Sequence, residues 1–435
     1  MKKMFSTALM LMLLLNAFSA SDTLLITNGN IVRPSEKDIL ENHDVLIVDQ
    51  RIIKIASDQV AKPHYKVIDA KGKYLIPGLF DMHVHLERLE ESNLRSFVEY
   101  GIVTVRNMDG RQNILNWKDQ ILKNELLGPD IFSAGPIIEG AAPYWKDTRV
   151  VKSKKEAIKE VNDQVTAGYD FIKVYHTLSK SSYLAILQES AIRNIRVIGH
   201  VPYEISILDA IKNGQSCVEH FDGYSDHLEA DHSPFKGRWD WKKLFFAFPI
   251  DSSKIDKLVS ITSSYGVANV PTLVVRDKIS SMKVIKERYQ DPEIKKLPKE
   301  VQDSWRPEKF NFVENLTSDD YSDLNLGKSN KLLLVKKLHD NGCTILAGSD
   351  TPNPYVLPGR SLHEELLLLS ESGITTYDVL STATDKPAEW LELHDQGKIQ
   401  ETYRADIIIL NENPIENIAN TQSIQTVILK GEVMK

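Results

Sequence analysis

Six polar side chains, far apart in this chain, have the types that hold divalent metal. His83 and His85 close Pro77-Gly-Leu-Phe-Asp-Met-His-Val-His85, and Lys173 sits inside Phe171-Ile-Lys-Val-Tyr175. His200 ends Arg196-Val-Ile-Gly-His200, His220 ends Cys217-Val-Glu-His220, and Asp350 follows Cys343-Thr-Ile-Leu-Ala-Gly-Ser349. Each lies in, at the end of, or just after a short apolar run rich in β-branched residues. If those runs are consecutive strands of one parallel barrel, all six side chains converge on a single mouth. Imidazoles and carboxylates gathered there bind divalent cations, and such cations generate hydroxide at neutral pH.

His83 and His85 flank Val84, and residues two apart on a strand face the same way. Asp81 either orients one of these imidazoles or solvates a strand end. Lys173 lies between Ile172 and Val174, where an ammonium is disfavoured unless its charge is removed or paired. It could snorkel to the rim, or pair with an acid. Beside four histidines and an aspartate, a third reading is favoured: reaction with carbon dioxide gives a carbamate, an anion able to bridge two cations. A lone strand-end histidine is usually structural, but that reading has to hold for His200 and His220 together. Asp350 can both bind metal and carry a proton. Arg106, Arg276 and Arg360 fall near predicted strand ends, suited to a substrate carboxylate or to structural ion pairs. His363, in Ser361-Leu-His-Glu-Glu, reads as helix packing or as support for the site.

The elements that must position these groups alternate. Strand-like runs are 104–109, 131–135, 171–175, 196–200, 217–220, 267–271 and 343–348, and the strand entering His83 makes eight. Helical patterns intervene at 154–165, 181–193, 205–212 and 330–341. This predicts an α/β fold, a closed (β/α)8 TIM barrel over residues 78–395. An open doubly wound sheet is the alternative, but no glycine-rich phosphate turn follows the first strand. Short strands at 23–27, 44–48, 51–55 and 66–70 precede the barrel, and 405–410 and 426–430 follow it. Residues 21–77 plus 396–435 are therefore expected to share one small β-sandwich, since either group alone would expose too many edges. Between His220 and Asp350 the spacing is long. The surplus falls at about 221–265 and 276–328, with Trp241, Phe245, Phe246, Phe248 and Trp305 among its aromatics. As loops on the catalytic face these would form a lid or substrate wall, or else a satellite packing cluster.

Residues 1–20 read as an export signal: Lys2 and Lys3, then an apolar run from Met4 to Leu15, then small residues for cleavage. No later segment has eighteen uninterrupted apolar residues, so no stable membrane insertion is expected, and a periplasmic or secreted enzyme is. Cys217 and Cys343 each open a predicted core strand, which favours two inert thiols over a disulfide. The formal charge of −7 becomes −9 without Lys2 and Lys3, and no basic cluster invites nucleic acid. A homo-oligomer is compatible with the sequence but not signalled by it.

These motifs together resemble the metal-dependent amidohydrolase superfamily. The tail strengthens the resemblance: Ser361-Leu-His-Glu-Glu-Leu, Gly373-Ile-Thr, Thr382-Ala-Thr, Lys386-Pro-Ala, Gly397-Lys-Ile and Ala405-Asp-Ile-Ile-Ile-Leu occur in that order. The order is similar to the branch of imidazolonepropionase-like proteins and Xaa-Pro dipeptidase relatives. The likeness covers nearly the whole chain beyond the signal and departs after His220. It implies two divalent ions, usually zinc. His83, His85 and Asp350 would hold the inner ion, and His200 and His220 the outer, with a Lys173 carbamate and a hydroxide between them. It further implies cleavage of a C–N bond in a small molecule or short peptide, a dipeptide or an N-acyl amino acid, with Asp350 as proton carrier. Tyr203, three residues after His200, is a candidate donor to the developing oxyanion, or packs beneath the lid. A mononuclear cyclic-amide hydrolase or deaminase is the alternative enzyme, and a non-catalytic binding protein on the same fold the alternative class.

Overall fold

Both ends of the chain enter one eight-stranded sheet. The computed structural model describes residues 23–238, 240–280 and 285–434; the expected signal, 1–20, lies outside them. Strand β1 (Thr23–Arg33) pairs antiparallel with β2 (Asp38–Val48), which pairs in turn with β3 (Arg51–Ala56). On its other side β1 runs parallel first to β4 (Lys66–Asp69) and then to β5 (Tyr74–Pro77). The C-terminal strands β15 (Ile407–Leu410), β16 (Ile424–Leu429) and β17 (Glu432–Val433) extend the sheet from β5. Strand β5, four residues ending in proline, carried no strand signal of its own, yet it joins the two ends. The Ile407-Ile-Ile-Leu410 run shows why β15 must be buried on both faces. Ile407 and Ile409 pack with Leu24, Ile26, Val45 and Ile47, while Ile408 and Leu410 point into the barrel's core. Alternation along one strand thus ties two cores together.

The barrel strands are β6 (Leu79–Val84), β7 (Ile102–Asn107), β8 (Asp130–Ser133), β11 (Phe171–Val174), β12 (Arg196–Gly199), β13 (Cys217–Glu219) and β14 (Ala268–Val270). All pair in parallel, β6 to β8 as one run and β11 to β14 as another. A bridge from Ala134 to Phe171 joins the runs, and Asn269 bridges to Ile345. Val84 bridges to Thr351, and Met82 N–H donates to Ala347 C=O at 2.9 Å. Eight segments therefore follow one another back to the first. The short strands β9 (Ile138–Glu139) and β10 (Arg149–Val150) add to β11 on one side.

The eighth segment differs from expectation: around Ile345 it is an extended stretch held by single bridges rather than a continuous strand. Gly348 explains part of this, because a Cβ there would lie 2.8 Å from the Cβ of His83. Only glycine lets this segment press against the metal-site strand. Ser153, Ser179 and Ser206 open helices of the barrel by accepting the N–H three residues on, each cap contributing about 1 kcal/mol.

The two expected loops are largely helical. They include Tyr224–Leu228 and Ile255–Ser264 in the first, and Leu273–Ser280 and Lys299–Ser304 within or overlapping the second. The helix expected over 330–341 begins at Ser318, where Thr317 and Asp320 form a capping box, and runs 23 residues. Phe246, Phe248 and Trp305 are fully buried in the main core, while Phe245 joins a small cluster with Ala247 and Leu324, so these aromatics pack inside rather than form an exposed substrate wall. Both cysteines are buried and free.

Candidate metal centre

At the strand ends of β6 and the eighth segment, Asp350 Oδ1 lies 3.3 Å from His83 Nε2 and 3.4 Å from His85 Nε2. Donors about 2.0–2.2 Å from one tetrahedral ion must keep close to such a separation. His83 Nε2 and Asp350 Oδ1 are buried and have no hydrogen-bond partner among the described residues. Orphaned polar atoms are costly unless something binds them, so the residues present fit a divalent ion.

The other ring nitrogens are already engaged. His83 Nδ1 is 2.8 Å from Glu219 Oε2, and His85 Nδ1 is 2.8 Å from Glu87 Oε1. His220 Nδ1 is 2.6 Å from Thr272 Oγ1. A partner that accepts the Nδ1 proton leaves Nε2 as the free lone pair, the usual support for a metal-binding histidine. Burial, followed by neighbouring cationic groups, holds His83, His200 and His220 well below the ordinary imidazole range. Neutral rings are what ligation requires.

His220 lies between two groups. Its ring is 4.8 Å from that of His83 and 4.9 Å from that of His200, and Nδ1 is 3.9 Å from Asp350 Oδ2. Both His220 and Asp350 have φ near +60°, left-handed backbone at strand ends that turns their side chains into the mouth. Lys173, 1% exposed, sits in β11 opposite Ile198 of β12, and the next pair is Val174 with Gly199. A Cβ on Gly199 would meet Val174 O at 2.4 Å, so glycine allows the two strands this close approach. Burial lowers the Lys173 ammonium pKa, while Glu219 and Asp350 raise it; its charge is felt by His83, His200 and His220. The six residues named from the sequence thus share one buried region.

A second group was not anticipated. His176, His200 and Asp222 offer ligand atoms that lie within 4.8 Å of one another. His176 Nε2 is 2.6 Å from Asp222 Oδ2, and its ring is 4.6 Å from that of His200. His200 Nδ1 is buried and lacks a partner among the described residues. The sequence did offer a signal: His176 directly follows the β11 run, and Asp222 follows His220 by two. Glu219 was legible in the same way, as a carboxylate on a fully buried strand.

Other expectations shift. Tyr203 is 64% exposed, stacks flat on His176 with ring centres 4.8 Å apart, and shares a 2.8 Å hydrogen bond with the Tyr144 hydroxyl. It therefore borders the His176 group rather than the His83 group. Asp81 does not orient an imidazole; it accepts from the backbone of His83 and from Ser349 N–H and Oγ–H, latching β6 to the eighth segment. Arg106 is fully buried, donating to Met82 O and Glu219 Oε1, so it supports Glu219 instead of facing substrate. Arg360 is held by Asp291 at 2.6 Å. His363 is buried between Thr421 and the Tyr100 carbonyl, a packing role.

The amidohydrolase family model matches residues 74–434. An adenine deaminase of Ruegeria sp. (strain TM1040) is 41% identical over 142 residues, which is 30% of this chain and 23% of that protein. A dihydroorotase of Clostridioides difficile (strain 630) is 34% identical over 104 residues, 22% of this chain and 24% of that protein. The chain thus spans only about a quarter of these two relatives. A 5-methylthioadenosine/S-adenosylhomocysteine deaminase of Carboxydothermus hydrogenoformans is 22% identical over 95% of this chain and 92% of its own length. Among solved structures, a bottromycin amidohydrolase superposes with TM-score 0.75 at 18% identity, over 95% of this chain and 87% of that one. A Xaa-Pro dipeptidase with methionine bound in its active site gives 0.70 at 18%, over 95% and 100%. At these identities the structural likeness speaks to the fold.

Proposed function

This chain belongs to the amidohydrolase family, and on that premise we propose that it is an exported, metal-dependent hydrolase of C–N bonds that cleaves dipeptides or N-acyl amino acids. The observation that carries the metal-dependent reading is the convergence of His83 Nε2 and His85 Nε2 on Asp350 Oδ1, at 3.3 and 3.4 Å in a buried pocket. His83, His85 and Asp350 would hold an inner ion. His200 would hold an outer one with His220, or with His176 and Asp222, and a carbamate on Lys173 would join the two. Zinc suits these donors, although manganese and cobalt share them. Bound there, divalent cations supply Lewis acidity and a water of lowered pKa.

The chain's own groups do the rest. Glu219 and Glu87 fix the rings of His83 and His85, so little reorganisation is needed when substrate arrives. Asp350, where the His83 and His85 Nε2 atoms converge, is positioned to take a proton from attacking water and pass it to the leaving nitrogen. Tyr203 and Tyr144 sit at the exposed rim, and Tyr203 can donate to an oxyanion when Tyr144 is the donor in their mutual hydrogen bond. Support for the dipeptidase reading comes from the fold shared with the Xaa-Pro dipeptidase.

The full-length alignment with a deaminase favours one alternative, a mononuclear deaminase in which Lys173 has no metal role. Metal analysis separates the two readings: two equivalents per chain support the first and one supports the second. For the activity, protein loaded with zinc and protein treated with chelator are compared on dipeptide, N-acyl amino acid and aminopurine panels. Chelator-sensitive turnover of the first two is expected. Metal-loaded protein that turns over neither overturns the proposal. Export is tested by fractionating cells that express the full chain, and retention in the cytoplasm with residues 1–20 uncleaved would refute it.

A further inference from the structure

A buried lysine and a partly buried arginine share one cavity close to the metal centre. Arg276 lies one helical turn beyond Thr272, the residue that holds His220, on the helix Leu273–Ser280. Lys331, 4% exposed, projects from the 23-residue helix Ser318–Asp340. Both line one cavity with Phe245, Leu273, Leu324 and Leu368. Neither makes an ion pair among the described residues, and the Arg276 guanidinium rests 5.3 Å above the Phe245 ring. Lys328, also on the wall, is different: Glu371 at 2.7 Å and Asp277 at 3.4 Å neutralise it. Arg276 is charged and Lys331 takes up a proton only at a cost in this mostly apolar cavity, and an incoming anion would offset both.

Neither acid at the cavity fills this role: Asp277, on the wall, is turned to Lys328, and Glu365 is held elsewhere. Glu365 spends Oε2 on the Val274 N–H at 2.7 Å, its Oε1 has no partner among the described residues, and burial pushes its pKa up to about 8. Near neutrality it is largely uncharged. Burial lowers the Arg276 pKa while Asp350 and Asp222 raise it, so its charge is felt at the metal centre as well as in the cavity. The cavity holds about 30 Å³, room for about two waters and so for the two oxygens of a carboxylate.

We infer that Arg276 and Lys331 form an anion subsite that takes a carboxylate of the substrate, making the enzyme selective for molecules that carry one beside the scissile bond. As a substrate subsite this rests on the hydrolase reading above; as an anion site it does not. Lys331 adds a signature. Burial, then Arg276, brings its pKa down to about 7, against the pull of Glu365 and Asp222, so a bound anion draws a proton onto it.

The test is calorimetric titration of the metal-loaded, full-length enzyme with keto acids that have no C–N bond to cleave: 4-oxopentanoate, 5-oxohexanoate and 6-oxoheptanoate. Each is compared with the methyl ketone lacking the carboxylate. At least one acid is expected to bind about ten- to a hundredfold tighter than its ketone. That preference should fall about tenfold in Arg276→Met and in Lys331→Met. Proton uptake on binding at pH 7.5, read from buffers of different ionisation enthalpy, should disappear in Lys331→Met. Lys331→Met should also melt no lower than the parent, because a buried amine with no ion pair is replaced by an apolar group of similar length. Equal binding of acid and ketone, or a preference that survives both substitutions and so arises at the metals, overturns the inference. Because no hydrolysis is read, absence of C–N cleavage would strike the proposed function and leave this result standing.

Discussion

Glu219 grips His83 across the barrel: its Oε2 is 2.8 Å from His83 Nδ1, and its Oε1 accepts Arg106 Nη2 at the same distance. All three side chains are completely buried. The carboxylate is therefore charge-compensated on one side and free to fix the imidazole on the other. Glu219→Gln should lower affinity for the inner ion about 10- to 100-fold while the protein stays folded. Metal retained after dialysis against graded chelator measures this, and unchanged retention removes Glu219 as a positioning residue. Arg106→Met strands the carboxylate and should cost about 3–5 kcal/mol in urea unfolding.

Lys173 separates the binuclear from the mononuclear reading. With its amine buried and burial lowering its pKa, the neutral form that reacts with carbon dioxide is accessible. Lys173→Ala should lose the more weakly held metal equivalent, and bicarbonate in the growth medium should raise metal content in the parent alone. A variant with the parent's full metal content would show that the lysine serves folding instead.

Asp350 is placed both to bind metal and to move a proton. Asn in its place keeps the size and one oxygen, so the fold should survive. Turnover should fall about 10²- to 10⁴-fold from loss of the proton carrier. The measurement is kcat at saturating metal, with circular dichroism to confirm folding. Rates within a factor of a few of the parent would exclude the role.

Much of this was legible because strand ends are punctuated. His83, His85, His200, His220 and Asp350 each follow an apolar run, and parallel strands deliver their C-terminal ends to one face. The supporting groups were harder to read. Glu219 and Asp222 bracket His220 within a few residues, and which of them turns inward depends on the left-handed backbone at His220 and Phe221. His176 belongs to the site only because the chain beyond β11 brings it over His200. The insertions concealed their helices because their apolar residues are divided between the main core, which takes Trp305 and Phe246, and a small cluster around Phe245 and Leu324, rather than lying in one continuous stripe. Strand β5 escaped notice because four residues ending in proline carry too little pattern.

Glu365 supplies a pH dependence separate from the metal centre. It is fully buried, and burial raises its pKa from about 4.5 to about 8, against backbone hydrogen bonds from Val274 and Leu273 that lower it. The folded state thus holds a proton that the unfolded chain releases above pH 4.5. Between those two values the folded state binds more protons, so stability falls as pH rises. By pH 8 the loss amounts to about 3–5 kcal/mol relative to pH 4. Glu365→Gln reproduces the shape of the protonated acid and keeps an oxygen for the Val274 N–H. The variant should therefore match the parent near pH 5 and exceed it progressively toward pH 8.5. Urea midpoints of both proteins across that range give the comparison directly, with other titrating groups largely cancelling. A difference that stays constant with pH would mean that Glu365 is ionised in the folded protein, and Lys331 would then have its counter-ion within the chain.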